Sequence, residues 1–136
     1  MVSVASRAWR IFRRVGRFKF FNESAEIPEL PLERGEDPIG VYFNMPSSLA
    51  DAIVVTSSGL ILRTESGWLP VPYQMIARVV IPARSGHLEQ VRGLTLTFLD
   101  GKSLALPVLG GTVRTADAFE FARFLDRVRS DLGLPR

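Results

Sequence analysis

The sequence predicts a mainly β, α+β fold: a curled antiparallel sheet or small barrel of about seven strands, capped by a carboxy-terminal helix and preceded by a basic amphipathic amino-terminal helix. Three observations carry this. Between residues 38 and 108 the apolar side chains fall in short β-rich runs separated by Gly, Pro, Ser and Asp, the punctuation of hairpins. Residues 115–132 and 4–18 instead repeat with the 3.6-residue period of a helix. A strand series accompanied by one carboxy-terminal helix buries its apolar face most simply by curling, with the helix plugging an open end.

In the amino-terminal stretch Val4, Ala5, Ala8, Ile11, Phe12, Val15 and Phe18 share one arc at 100° per residue, and Arg7, Arg10, Arg13, Arg14 and Arg17 lie opposite. Trp9 lies near the boundary. Ser3 or Ser6 suits the amino-terminal cap. Gly16 weakens the last turns and Lys19 would fall on the apolar face, so the helix is expected to end near Phe18. Residues 22–37 are acidic and hold Pro28 and Pro31, which preclude a continuous helix. Ile27, Leu30 and Leu32 could pin this stretch to a surface, but a solvated linker is the simpler expectation.

After Pro38, residues 39–44 form a β-rich run. Residues 52–56 (AIVVT) and 60–64 (LILRT) flank Ser57-Ser58-Gly59 as a hairpin, and the first of these strands is apolar on both faces, as a central strand is. Residues 68–72 contain Pro70 and Pro72, which demote them to an edge or irregular strand. A single helical turn is expected at 73–76, then a strand at 78–81. Residues 93–99 and 102–108 make a second hairpin. A two-residue Asp100-Gly101 turn would pair Leu96 with Ala105. A three-residue loop 100–102 would pair Phe98 with Leu104, Leu96 with Leu106 and Leu94 with Val108, burying leucines together, and is preferred, with a bulge beside Gly101. Thr115 is expected to cap the last helix, which buries Phe121, Phe124, Leu125, Val128 and Leu132, with Ala118 and Ala122 on the flank. Gly133 and Pro135 stop it. Phe119 falls on the polar side, packed on the preceding loop or open to a partner.

The runs AIVVTSSGLIL (52–62), YQMI (73–76), GLTLTFLDGKSLALPV (93–108) and AFEFARFLDRV (118–128) in this order resemble a pleckstrin-homology-like domain of the bacterial or GRAM type. The similarity covers about 38–132. It divides the chain into a basic arm (1–21), an acidic proline-containing linker (22–37) and the pleckstrin-homology-like domain (38–136). The resemblance implies a binding scaffold that docks on membranes, binds peptides along an exposed strand beside the helix, or self-associates. In lipid-binding members basic residues of the loop between the first two strands contact phosphoinositide headgroups. Here that loop, 44–51, holds no Lys or Arg and one aspartate, Asp51, which argues against headgroup recognition there.

Composition narrows the chemistry. The 136 residues suit one domain. With no cysteine, thiol nucleophiles, disulfides and thiolate metal sites are excluded, and the single histidine, His87, is too few for the common multi-histidine sites. The longest charge-free run, 38–50, is too short to span a bilayer. Net charge is +3, distributed as +6 over 1–21, −5 over 22–37 and +2 over 38–136. Gly110-Gly111 before a helix lacks a Walker lysine and reads as a connection. No catalytic constellation appears, so the expectation is a non-enzymatic protein without cofactor or metal. An enzyme working by carboxylates alone would need a deep pocket lined by two or more acids.

The candidate site is therefore the arm: Arg7, Trp9, Arg10, Ile11, Phe12, Arg13, Arg14, Val15, Arg17 and Phe18. A basic amphipathic helix suits an anionic membrane surface, each basic residue contributing about 1 kcal/mol. The leading expectation is an adaptor in the cytoplasm, peripheral at the inner membrane face. The alternative is a structural subunit whose helix packs on a partner chain, homo-oligomers included. The blander reading is that the apolar face docks on the protein's own body, with the acidic stretch nearby neutralising the arginines. A cleaved targeting segment has the same character but ranks behind these. Nucleic acid is disfavoured, because no lysine-rich or aromatic-interleaved groove accompanies the arm.

Overall fold

In the computed structural model residues 2–22, 27–45, 48–81, 93–111 and 116–134 are described. The chain divides into two compact units, Met1–Tyr73 and Gln74–Arg136.

The first unit opens with α1 (Val4–Phe12), capped by Ser3, whose Oγ accepts from the Ser6 N–H at 3.1 Å. The helix ends six residues earlier than expected. Tight turns follow, with the Val15 N–H on the Phe12 carbonyl and the Phe18 N–H on the Val15 carbonyl, and Phe18–Phe20 becomes strand β1. Lys19 explains the change. Helical continuation would place its ammonium among apolar side chains, whereas strand alternation buries Phe18 and Phe20 and turns Lys19 to solvent.

β1 begins an antiparallel five-stranded sheet in sequential order: β1, β2 (Pro38–Tyr42), β3 (Ile53–Thr56), β4 (Gly59–Thr64) and β5 (Gly67–Pro72). As its two-faced apolar pattern predicts, β3 is central and buried throughout. One face carries Phe18, Tyr42, Ile53 and Leu62 in a cross-strand row, and the other carries Lys19, Val41, Val54, Ile61 and Pro70. The proline-bearing β5 lies at the edge, as predicted, and a 3-10 turn (Tyr73–Met75) stands where one helical turn was expected.

The solvated linker is corrected. Leu30 packs, with Phe21, Phe43 and Trp68, on the buried cluster Val41, Ala52, Val54 and Ile61. Asp37 and Ser57 join through two hydrogen bonds, Ser57 N–H to the Asp37 carbonyl at 2.9 Å and Asp37 N–H to Ser57 Oγ at 2.8 Å. The boundaries expected after residues 21 and 37 likewise do not separate the arm, because β1 pairs with β2 across them.

The second unit holds a three-stranded antiparallel sheet in the order β6 (Ile76–Val80), β7 (Gly93–Phe98), β8 (Ser103–Pro107), with α2 (Asp117–Asp131) packed on β6 and β7. The expected single curled sheet or barrel is thus corrected: the described strands form separate sheets of five and three. Prolines at 70 and 72 cannot donate to a continuing ladder, which leaves β5 an edge.

The β7–β8 register matches neither expected pairing. Leu94 faces Leu106 and Leu96 faces Leu104 around a three-residue loop, 99–101. Its length is as expected, but it lies one residue earlier. A three-residue hairpin loop ends on a left-handed residue, and Gly101 (φ +88°) occupies that last position. The slip of two residues preserves which face is buried. The residue before the first turn of α2 is Ala116, whose side chain makes no capping hydrogen bond, and the expected cap, Thr115, lies outside the described residues. The helix ends at Gly133 (φ +71°) in a Schellman motif, with Leu134 N–H on the Arg129 carbonyl and Gly133 N–H on that of Ser130. Leu132 therefore falls past the last helical turn and is exposed, a correction to the expected apolar stripe.

Candidate functional site

The ten arm residues do not form one surface. Ile11, Phe12, Val15 and Phe18 are buried within the first unit, and the expectation that they present an apolar face to a membrane or partner is corrected. The physical reason is the early helix end, which turns the chain back and stacks the Phe12 and Phe18 rings at 4.4 Å. Trp9 rests against Phe20, ring centroids 5.2 Å apart, yet keeps 45% of its surface exposed. Arg7 is half-buried. The half-buried Arg17 is engaged internally: its Nη1 donates to the Asn44 carbonyl at 2.5 Å, and its own carbonyl accepts from the Phe43 N–H.

What remains at the surface is cationic. Arg10, Arg13 and Arg14 are exposed around the end of α1, Arg14 lying in the turn that follows the helix. Arg10 lies in the last turn and Arg13 is the carboxy-terminal cap, where positive charge also complements the helix dipole.

The loop after β2 is held from beneath. Asn44, 2% exposed, donates through Nδ2 to the Asp51 carbonyl at 2.6 Å. Asp51 itself adopts a left-handed backbone (φ 55°), which aspartate tolerates better than most residues. Beside it runs an open groove of about 510 Å³ bordered by residues 48–51 and 63–65. Arg63, on that rim, stacks its guanidinium 5.3 Å from the Trp68 ring centroid. Asp51 and Glu65 place two carboxylates on the groove, which is open to solvent and not the deep pocket that carboxylate catalysis requires. Its mixed charge does not suit a polyphosphate headgroup.

Two groups escaped the sequence reading. Arg129, buried in α2, donates through Nη2 to the Ala77 carbonyl at 2.9 Å, where a bulge between Ile76 and Arg78 interrupts β6 pairing. A basic residue at an apolar-stripe position was the signal. The other is Glu36, whose carboxylate accepts from Thr56 Oγ1 at 2.5 Å, Ser58 Oγ at 2.6 Å and the Glu33 N–H at 3.0 Å. Burial pushes its pKa up, but these three hydrogen bonds outweigh that and hold it below the ordinary value. His87 lies outside the described residues. Phe119 is exposed, 41%. No cluster of three metal-ligating side chains occurs among the described residues, and no described helix is long and apolar enough to cross a membrane.

With this geometry established, comparison places the fold. A DUF1696 family protein with a pleckstrin-homology domain from Shewanella loihica has a solved structure similar to this chain. The TM-score is 0.50 at 19% identity, covering 71% of this chain and 82% of that one. At that identity the likeness is one of fold, and the fold is pleckstrin-homology-like. No protein-family model and no curated protein matches the chain.

Proposed function

We infer that this chain is a non-catalytic binding module that docks electrostatically on an anionic membrane surface through Arg10, Arg13 and Arg14. The observation that carries the reading is the exposure of these three arginines around the α1 terminus. The pleckstrin-homology-like fold supports a binding role in general. With Ile11, Phe12 and Phe18 committed to the core, the mode is surface adsorption with Trp9 at headgroup depth, and not insertion of an apolar helix face.

Three basic residues near an anionic leaflet contribute roughly 3 kcal/mol together, about a hundredfold in partitioning. Docking of this strength is reversible and sensitive to salt. Removing the arm is not a clean test, because it also removes β1. Arg10, Arg13 and Arg14 are instead changed together to Gln, and flotation with phosphatidylserine-containing vesicles is compared with neutral ones. The native chain should float with anionic vesicles at low salt only, and the triple variant should lose most of that. Equal flotation of both proteins, or none by the native chain, rejects the reading.

A further inference from the structure

The acidic segment 27–37 meets the five-stranded sheet through two side-chain anchors and, at its end, through the two Asp37–Ser57 hydrogen bonds. Leu30 packs over the buried cluster that includes Val41, Val54 and Ile61, and Glu36, six positions later, is bound by the Thr56 and Ser58 hydroxyls. Thr56 alternates with Val54 on the same face of β3, so both anchors lie along one strand. Between them the backbone closes on itself, Leu32 N–H to the Leu30 carbonyl and Glu36 N–H to the Glu33 carbonyl. Ile27 is 54% exposed and Leu32 36%, so the two neighbouring apolar side chains add little burial. The segment also gathers Glu29, Glu33, Glu36 and Asp37 against Arg34, a self-repelling composition.

A stretch held by one apolar side chain, one carboxylate and a pair of hydrogen bonds at its end has the attachment of a bound peptide tethered at both ends. We propose that this face of the five-stranded sheet is a peptide-binding surface, and that 27–37 is its intramolecular occupant, displaced by an extended acidic peptide of another chain. The incoming peptide carries an apolar residue for the Val41–Val54–Ile61 surface and, six positions on, a carboxylate for the Thr56 and Ser58 hydroxyls. Tethering gives the internal segment a high effective concentration, so a weak external ligand is excluded until the segment is loosened. This inference does not depend on the arginine surface.

The test uses the full chain and a fluorescein-labelled peptide of residues 27–38, read by anisotropy. In one protein residues 27–36 are replaced by a Gly/Ser stretch of equal length. The peptide should bind this protein at least tenfold more tightly than the native chain, and Leu30→Ser or Glu36→Gln in the peptide should each weaken binding severalfold. Equal affinity for both proteins, or indifference to the peptide changes, overturns the proposal. Failure of the replaced chain to fold also overturns it, because the segment would then be part of the fold. So does its dimerisation without peptide uptake, which would assign the face to a second copy. A milder variant, Leu30→Ser in the full chain, must remain folded and take up the peptide more tightly than the native protein, or the proposal fails.

Discussion

The ring of Phe12, at the end of α1, stacks on that of Phe18, at the start of β1, with centroids 4.4 Å apart and planes 10° from parallel. That pair reverses the chain and converts an amphipathic arm into core. Phe12→Ala is therefore expected to destabilise the protein by about 3–5 kcal/mol, a large part of a typical domain's stability. Arg13→Ala, on the exposed side, should change it by about 0.5 kcal/mol or less. Urea titrations of both variants check this, and a small loss for Phe12→Ala would return the ring to the surface.

How much of this was legible in the sequence depends on which physical signal each residue carried. The two-faced apolar run 52–56 pointed to a central strand, and the prolines of β5 to an edge or irregular one; the sheet order makes it the edge. Hydrophobic alternation found the buried face of β7 and β8, but the requirement for a left-handed residue at the loop's last position, met by Gly101, set the register. The arm stayed ambiguous because an amphipathic helix looks the same whether its apolar side meets a membrane or its own sheet, and only the second of these buries Phe12 and Phe18. Lys19 was the one misfit residue, and it marked the strand. Glu36 was hidden among other acids, since only the fold brings it to hydroxyls some twenty positions away.

Glu36 predicts a pH dependence. Its folded-state pKa lies below the ordinary value of 4.5, so its contribution is complete above that value and is lost as pH falls through the depressed one. At neutral pH Glu36→Gln should cost about 1 kcal/mol through weaker hydrogen bonding to Ser58 and Thr56. Denaturant midpoints of the native and Gln proteins should converge below pH 4.5. A gap that stays constant into acid would show that ionisation of Glu36 is irrelevant to folding.

Tyr73 behaves oppositely. Its buried hydroxyl donates to the Thr56 carbonyl at 2.7 Å, and burial, reinforced by the negative charge of Glu36, pushes its pKa well above the ordinary 10.0. The neutral phenol is what the fold accepts, so its contribution holds below pH 10 and declines as pH rises further. Tyr73→Phe should lower stability by about 1 kcal/mol at neutral pH, with the buried Thr56 carbonyl losing this donor. The difference should shrink above pH 10, because only the native protein loses stability from ionisation of this phenol on unfolding. Parallel curves across the alkaline range would contradict the assignment.

Gly40 tests whether β1 is as integral as the register implies. A Cβ at this position would lie 2.5 Å from Cε1 of Phe18 and 2.7 Å from the Lys19 carbonyl oxygen, closer than side chains in folded proteins approach. The ring could yield, but the carbonyl belongs to β1 itself, which pairs here as Phe20 opposite Gly40. Gly40→Ala should therefore push β1 away from β2 at a cost of about 1–3 kcal/mol, the range for overpacked sites. Hydrogen exchange localises the effect: amides of β1 should exchange faster, while those of β7 in the second unit keep their protection. Because β1 links α1 to the sheet, loosening it should also raise exchange in the last turn of that helix. Unchanged protection at residues 18–20 in a stable Gly40→Ala variant would mean that β1 adapts freely, and that the amino-terminal segment is less firmly part of the sheet than its pairing with β2 indicates.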